Sequence, residues 1–113
     1  MKKIETIIRP SVFGNVRQAL ALEGIDGLSV TEIAGIGKQE GRIGMFRGNT
    51  YKMEFSPKLK LEMVVEDSKV EAIIEALLDY AATGEVGDGK IFIFPVEEAI
   101  RIRTKERGDV AVG

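Results

Sequence analysis

The chain contains no cysteine and no histidine. Those two absences remove thiolate nucleophiles, disulfides, the usual zinc ligand sets and imidazole acid–base chemistry. Carboxylate, lysine, arginine and backbone groups remain. The opening MKKIETIIRP has no apolar run long enough for a signal peptide, and no later stretch approaches the roughly 20 apolar residues of a membrane span. A cytoplasmic protein is expected. Neither sign of charge is in large excess: the net charge of −2 gives no electrostatic footprint for a nucleic-acid partner.

What is present describes an ordinary globular domain. With 113 residues, 44% of them hydrophobic and 30% charged, the chain is expected to form a single domain, residues 1–113. A chain of this size buries roughly two thirds of its unfolded surface on folding. Lys3 to Arg9, KIETIIR, reads as a strand broken by Pro10. From Ser11 the apolar residues Val12, Val16, Ala19, Leu20 and Leu22 fall at helical spacing, with Gly24 as the expected cap. Leu28 to Ile36 reads as a second strand. Lys58 to Val65 reads as a third, with Leu59, Leu61, Met63 and Val65 on one face and Lys58, Lys60 and Glu62 on the other. Ser68 and Glu71 have capping-box spacing ahead of a helix with Val70, Ile73, Ile74, Leu77 and Leu78 as its expected buried face. KIFIF, from Lys90, is the last clear strand. The order β-α-β, β-α-β predicts an α+β fold: a ferredoxin-like double βαβ sandwich with both helices on one face of a four-stranded antiparallel sheet.

Between Gly37 and Pro57 lie about twenty residues without an apolar period, a length at which a loop inside a compact domain is usually functional or disordered. Gly84 to Lys90 raises a separate question. It fits G-x-x-x-x-G-K, the spacing of a P-loop, yet Ile91 stands where a P-loop has a hydroxyl for magnesium, and a strand follows where a P-loop opens a helix. Arg101 and Arg103 alternate with Ile100 and Ile102, so a short strand would turn both arginines to one face. Together with Lys90 and the glycines they could hold a triphosphate through charge-assisted bonds of roughly 1.5–3 kcal/mol each. The alternative is a solvated edge strand, with Glu85 and Asp88 pairing to Lys90 across a turn. Gln39 is a candidate hard ligand for magnesium, or simply a solvated glutamine. Tyr51, flanked by Arg47 and Lys52, is a candidate partner contact or modification target, or a tyrosine folded back onto the domain.

Taken together, GIGKQEG (35–41), FRGNTY (46–51), PKLKLE (57–62), TGEVGDGKIFIF (83–94) and EAIRIRT (98–104) give the chain a resemblance to the PII family of nitrogen-regulatory signal-transduction proteins over essentially its whole length. The resemblance implies a homotrimer with a nucleotide pocket in each cleft between neighbouring subunits. It implies a T-loop at about 37–55, a B-loop at about 82–90 and a C-terminal region at about 98–113. ATP or ADP would be held by Gly37, Lys38, Gly87, Asp88, Gly89, Lys90, Arg101 and Arg103, with Ser29 and Val64 lining the adenosine side. The glycine loop would then be a nucleotide loop built between subunits. Mg2+ would be held by the triphosphate, by Gln39 and by 2-oxoglutarate. The latter would be received by Gln39, Glu40 and Gly41, with Lys58 on its distal carboxylate, so that effector binding needs MgATP. Tyr51 falls at the family's uridylylation site, and Arg47 at the arginine that enters ammonium channels. Implied partners are an ammonium channel or nitrogen-metabolism enzymes and regulators, and a uridylyltransferase. Contact with a membrane would come only through a channel partner.

The chain departs from the family pattern at Ile36, where an aromatic residue is common, at Glu40, where a basic one is frequent, and at Thr50. These departures touch partner identity more than ligand binding. Competing readings are a PII-like trimer for another small ligand (bicarbonate, a nucleotide second messenger or a metal), a slow ATPase using Lys90, Arg101, Arg103 and Asp88, and an RNA-binding ferredoxin-like domain. The charge, and the lack of paired aromatics on a central strand, speak against RNA.

Overall fold

The structure is a computed structural model that describes the backbone of residues 1–39 and 52–113 and the side chains of residues 1–35 and 55–113. Glu40, Gly41, Arg47 and Tyr51 lie outside the described residues. Four strands and two helices alternate as expected: β1 (Lys2–Ile8), α1 (Phe13–Leu22), β2 (Ser29–Gln39), β3 (Lys52–Val65), α2 (Val70–Ala81) and β4 (Lys90–Pro95). The sheet order is β2-β3-β1-β4, and every neighbouring pair is antiparallel. Each β-α-β unit therefore straddles one strand of the other, which is the ferredoxin-like arrangement.

Alternation sets the two faces. Ile4, Thr6 and Ile8 of β1 and Leu61, Met63 and Val65 of β3 are buried, and they pack with Val16 and Leu20 of α1 and Ile73 and Leu77 of α2 in one core. Thr6 is the polar member; its hydroxyl donates to the Lys90 carbonyl at 3.0 Å, so burial leaves no unpaired group. The opposite face carries Lys3, Glu5, Lys60 and Glu62 in a lattice of ion pairs between 3.3 and 3.9 Å. Both helices lie on the first face.

α1 ends in a Schellman motif: Gly24, at φ 82°, donates to Ala21 and Ile25 donates to Leu20, at 3.0 and 2.9 Å. Three sequence expectations need correction here. Leu22 and Leu78 stand on the edges of their helices and are exposed (88% and 58%), because a helix lying flat on a sheet buries a narrower stripe than its apolar periodicity suggests. The Ser68 capping box does not form: Asp67–Lys69 make a 3-10 turn ahead of α2, and no side chain caps either start. Strands β2 and β3 also run past the expected ends. They pair from Ser29 with Glu62 out to Gln39 with Lys52, so Gly37, Lys38, Gln39 and residues 52–57 belong to the ladder.

Candidate functional site

The end of β1, the middle of β3 and the loop before β4 enclose a cavity of about 910 Å3, lined among others by Arg9, Lys58, Gly87, Asp88, Gly89 and Lys90. β3 brings Lys58 there because it lies next to Ile33 on β2, two residues beyond the ion-pair lattice. β4 begins at Lys90, opposite Ile7 of β1, which draws the glycine loop over the end of β1.

Glycine is required in that loop. Gly84, Gly87 and Gly89 have φ of 86°, 99° and 107°, the left-handed side of the map that side chains rarely adopt. At Gly89 there is a second reason, since the backbone passes directly against the Ile7 carbonyl.

Asp88 organises the loop from within. It accepts hydrogen bonds from the Thr83 hydroxyl, from the Thr83 amide at 2.7 Å and from the Gly84 amide at 2.9 Å, and it pairs with Arg9 Nε at 3.0 Å. Those donors, the Thr83 hydroxyl first and Arg9 next, hold its carboxyl far below the usual carboxylate range. The expected pairing of Asp88 with Lys90 is therefore corrected: the partner is Arg9, 79 residues away in sequence. Arg9 also donates through Nη2 to the Val86 carbonyl at 2.7 Å, and Lys58 Nζ donates to the Gly87 carbonyl. Partial burial, helped by the nearby Arg9 charge and opposed by Asp88, pushes the Lys58 ammonium below its ordinary value. Lys90 is exposed at the mouth of the cavity.

The other candidate residues are placed elsewhere on the chain. Ser29 and Val64 line a separate cleft of about 450 Å3, with Lys3, Gly27 and Glu62. Ser29 precedes Ile33, the partner of Lys58, by four strand positions, roughly 13 Å along the ladder. Arg101 and Arg103 do not alternate on a strand. Arg101 to Thr104 form a turn, closed by hydrogen bonds from the Lys105 amide to the Arg101 carbonyl and from the Arg101 amide to the Glu106 carbonyl. The Arg101 guanidinium pairs with Glu106 at 2.7 Å and donates to the Val110 and Gly113 carbonyls at 2.9 and 3.2 Å, so it anchors the tail. Arg103 is exposed. Gly37, Lys38 and Gln39 contribute backbone to β2, and their side chains are outside the described residues.

The sequence did not point to Arg9, which read only as the end of a strand. Its signal was weak: a cation held in place by the following proline, with its two acceptors far away in sequence.

The comparisons with known proteins agree with one another. A model of the family described as nitrogen regulatory protein P-II matches residues 1–106. Nitrogen regulatory protein P-II of Cereibacter sphaeroides is 52% identical, and that of Rhodospirillum rubrum 51%, each over 99% of this chain and 100% of theirs. Nitrogen regulatory protein P-II 1 of Escherichia coli is 47% identical over the same shares. A crystal structure of Arabidopsis thaliana PII bound to citrate superposes with a TM-score of 0.79 at 38% identity, covering 98% of this chain and 88% of that one. In sequence and in fold, then, the chain belongs to the P-II family of nitrogen regulatory proteins.

Proposed function

We propose that the protein is a non-catalytic sensor that binds ATP or ADP and, together with MgATP, 2-oxoglutarate, and that it regulates partner proteins through residues 37–55. The observation that carries this reading is the glycine loop with Lys58 and Lys90 on one cavity of about 910 Å3. Glycines at positive φ bring backbone close to a ligand, and two cations suit its anionic groups.

The separation of Ser29 and Val64 from the loop supports an inter-subunit site. One chain would supply the phosphate end and its neighbour the adenosine end, with Arg101 and Arg103 joining only when the tail rearranges. A homotrimer would also use the open face of the sheet, where Phe92 and Phe94 are 42% and 44% exposed beside the ion-pair lattice. Among the described residues no group of three or more acidic side chains gathers to hold a metal alone. Mg2+ would arrive on the triphosphate, with Gln39 as its protein ligand. Gln39 would hold Mg2+ together with the triphosphate, and the ion, when bound, would neutralise phosphate charge and offer positions that the effector chelates.

A regulatory role also fits the state of Asp88. A carboxylate committed to four donors and held so far below its usual range is a poor general base for activating water. The citrate in the Arabidopsis thaliana structure favours a second reading, in which the effector is a carboxylate other than 2-oxoglutarate.

Isothermal titration of 2-oxoglutarate with and without MgATP separates these. Binding that requires MgATP is the expected result. Binding of neither nucleotide nor 2-oxoglutarate would end the sensor reading, and nucleotide binding with a response to citrate alone would select the second.

A further inference from the structure

We propose that Arg9 is a positioning residue for the glycine loop, holding Val86 to Gly89 in the shape that receives an anion. This rests on the reading of that loop as the nucleotide site.

The loop needs such a residue. Its glycines, 84, 87 and 89, carry the largest conformational freedom to be lost on ordering. Asp88 draws in the first half through Thr83 and Gly84, but those bonds span only four and five residues and tie the loop to itself. Arg9 ties it to the sheet. One planar guanidinium reaches Asp88 through Nε at 3.0 Å and the Val86 carbonyl through Nη2 at 2.7 Å, fixing two points of the loop with a single rigid group.

The root of Arg9 is itself held. Ile8 before it is 1% exposed, Pro10 after it restricts the backbone, and the Arg9 carbonyl accepts from the Val12 amide at 3.2 Å. A Cβ on Gly87 would lie 3.3 Å from Arg9 Nη2 and equally far from Lys58 Nζ, so both cations press on the same turn.

Lys58 donates to the next carbonyl, Gly87, but its role differs. In the proposed sensor Lys58 turns to the effector's distal carboxylate and gives up the loop. Arg9 has its acceptors within the loop and remains. It thereby keeps the nucleotide site shaped while Lys58 changes partner.

The test uses the full chain with Arg9→Met and Arg9→Lys. ADP affinity is measured by titration, and amide hydrogen exchange of residues 83–89 is measured without ligand. Arg9→Met is expected to weaken ADP on the order of 10-fold, the worth of one charge-assisted bond. It should also speed exchange at 83–89 and leave Ile73 and Leu77 of α2 protected. Arg9→Lys, which can reach one acceptor but not both, should recover part of each effect. Unchanged exchange at 83–89 in Arg9→Met overturns the proposal, whatever happens to affinity, and so does faster exchange with undiminished ADP binding. Failure of the unmodified protein to bind ADP would instead remove the nucleotide reading.

Discussion

Gly89 lies so close to Ile7 that a Cβ built on it would overlap the Ile7 carbonyl oxygen and fall 2.8 Å from its carbon. The two residues meet where β1 ends and β4 begins, and no side-chain rotation relieves a clash with backbone. Gly89→Ala should force the start of β4 off β1. To the overlap is added the strained backbone at φ 107°, itself roughly 1–3 kcal/mol. Thermal unfolding at fixed protein concentration is expected to show a loss of several degrees, together with loss of ligand binding. A variant as stable as the parent would mean that the approach of Gly89 to Ile7 is not required.

Leu20 and Leu22 give a paired prediction about the core. Both lie on α1, two residues apart, yet Leu20 is fully buried and Leu22 is 88% exposed. Leu20→Ala should cost about 2–5 kcal/mol in urea unfolding, and Leu22→Ala within ~0.5 kcal/mol of nothing. Equal costs would show that α1 is turned differently on the sheet.

The same pair shows how much of the fold is legible in the sequence. Spacing found α1 but not the width of its buried stripe, because that width depends on the sheet beneath the helix. The order of elements followed from the break at Pro10 after β1, the alternation in β3 and the two helical periods. The outer part of the β2–β3 ladder was hidden, since Gly35, Gly37 and Pro57 carry no apolar alternation and pairing there is a matter of backbone hydrogen bonds. The glycine loop stood out through its composition. Its connection to Arg9 did not, because a contact spanning 79 residues leaves no local pattern. Nor could spacing distinguish a strand from the turn at Arg101, which forms because the tail folds back onto the guanidinium.

Phe92 and Phe94 sit opposite Glu5 and Lys3 on the sheet face that the helices leave open. If that face is where subunits meet, Phe92→Asp places a third carboxylate beside Glu5 and Glu62 and removes apolar area from the contact. Light scattering after size exclusion should then show species smaller than the proposed trimer, with the circular dichroism of the fold retained. A variant that keeps the parent's oligomeric size would move the interface elsewhere.

Acid stability tests Asp88. Its carboxyl is held down chiefly by the Thr83 hydroxyl and by Arg9, with the amides of Thr83 and Gly84 assisting. A group whose folded pKa is depressed contributes stability that is present above its unfolded value, about 3.9 for aspartate, and is lost as pH falls toward the folded value. The unfolded chain binds the proton first. Two other carboxylates work in the same direction: Glu62, lowered first by Lys60 and then by Lys3, and Asp67, lowered first by the N-terminal amine and then by Lys2. Unfolding midpoints in urea should therefore fall as pH drops below about 4. Asp88→Asn should lower the midpoint at pH 7 and flatten the decline at acid pH, because its contribution has been removed from both ends of the comparison. Thr83→Val should do the same more weakly, since it deletes one donor and leaves Arg9 in place. An Asp88→Asn protein whose acid limb remains as steep as the parent's would place the pH dependence on Glu62 and Asp67 and deny the loop a part in it.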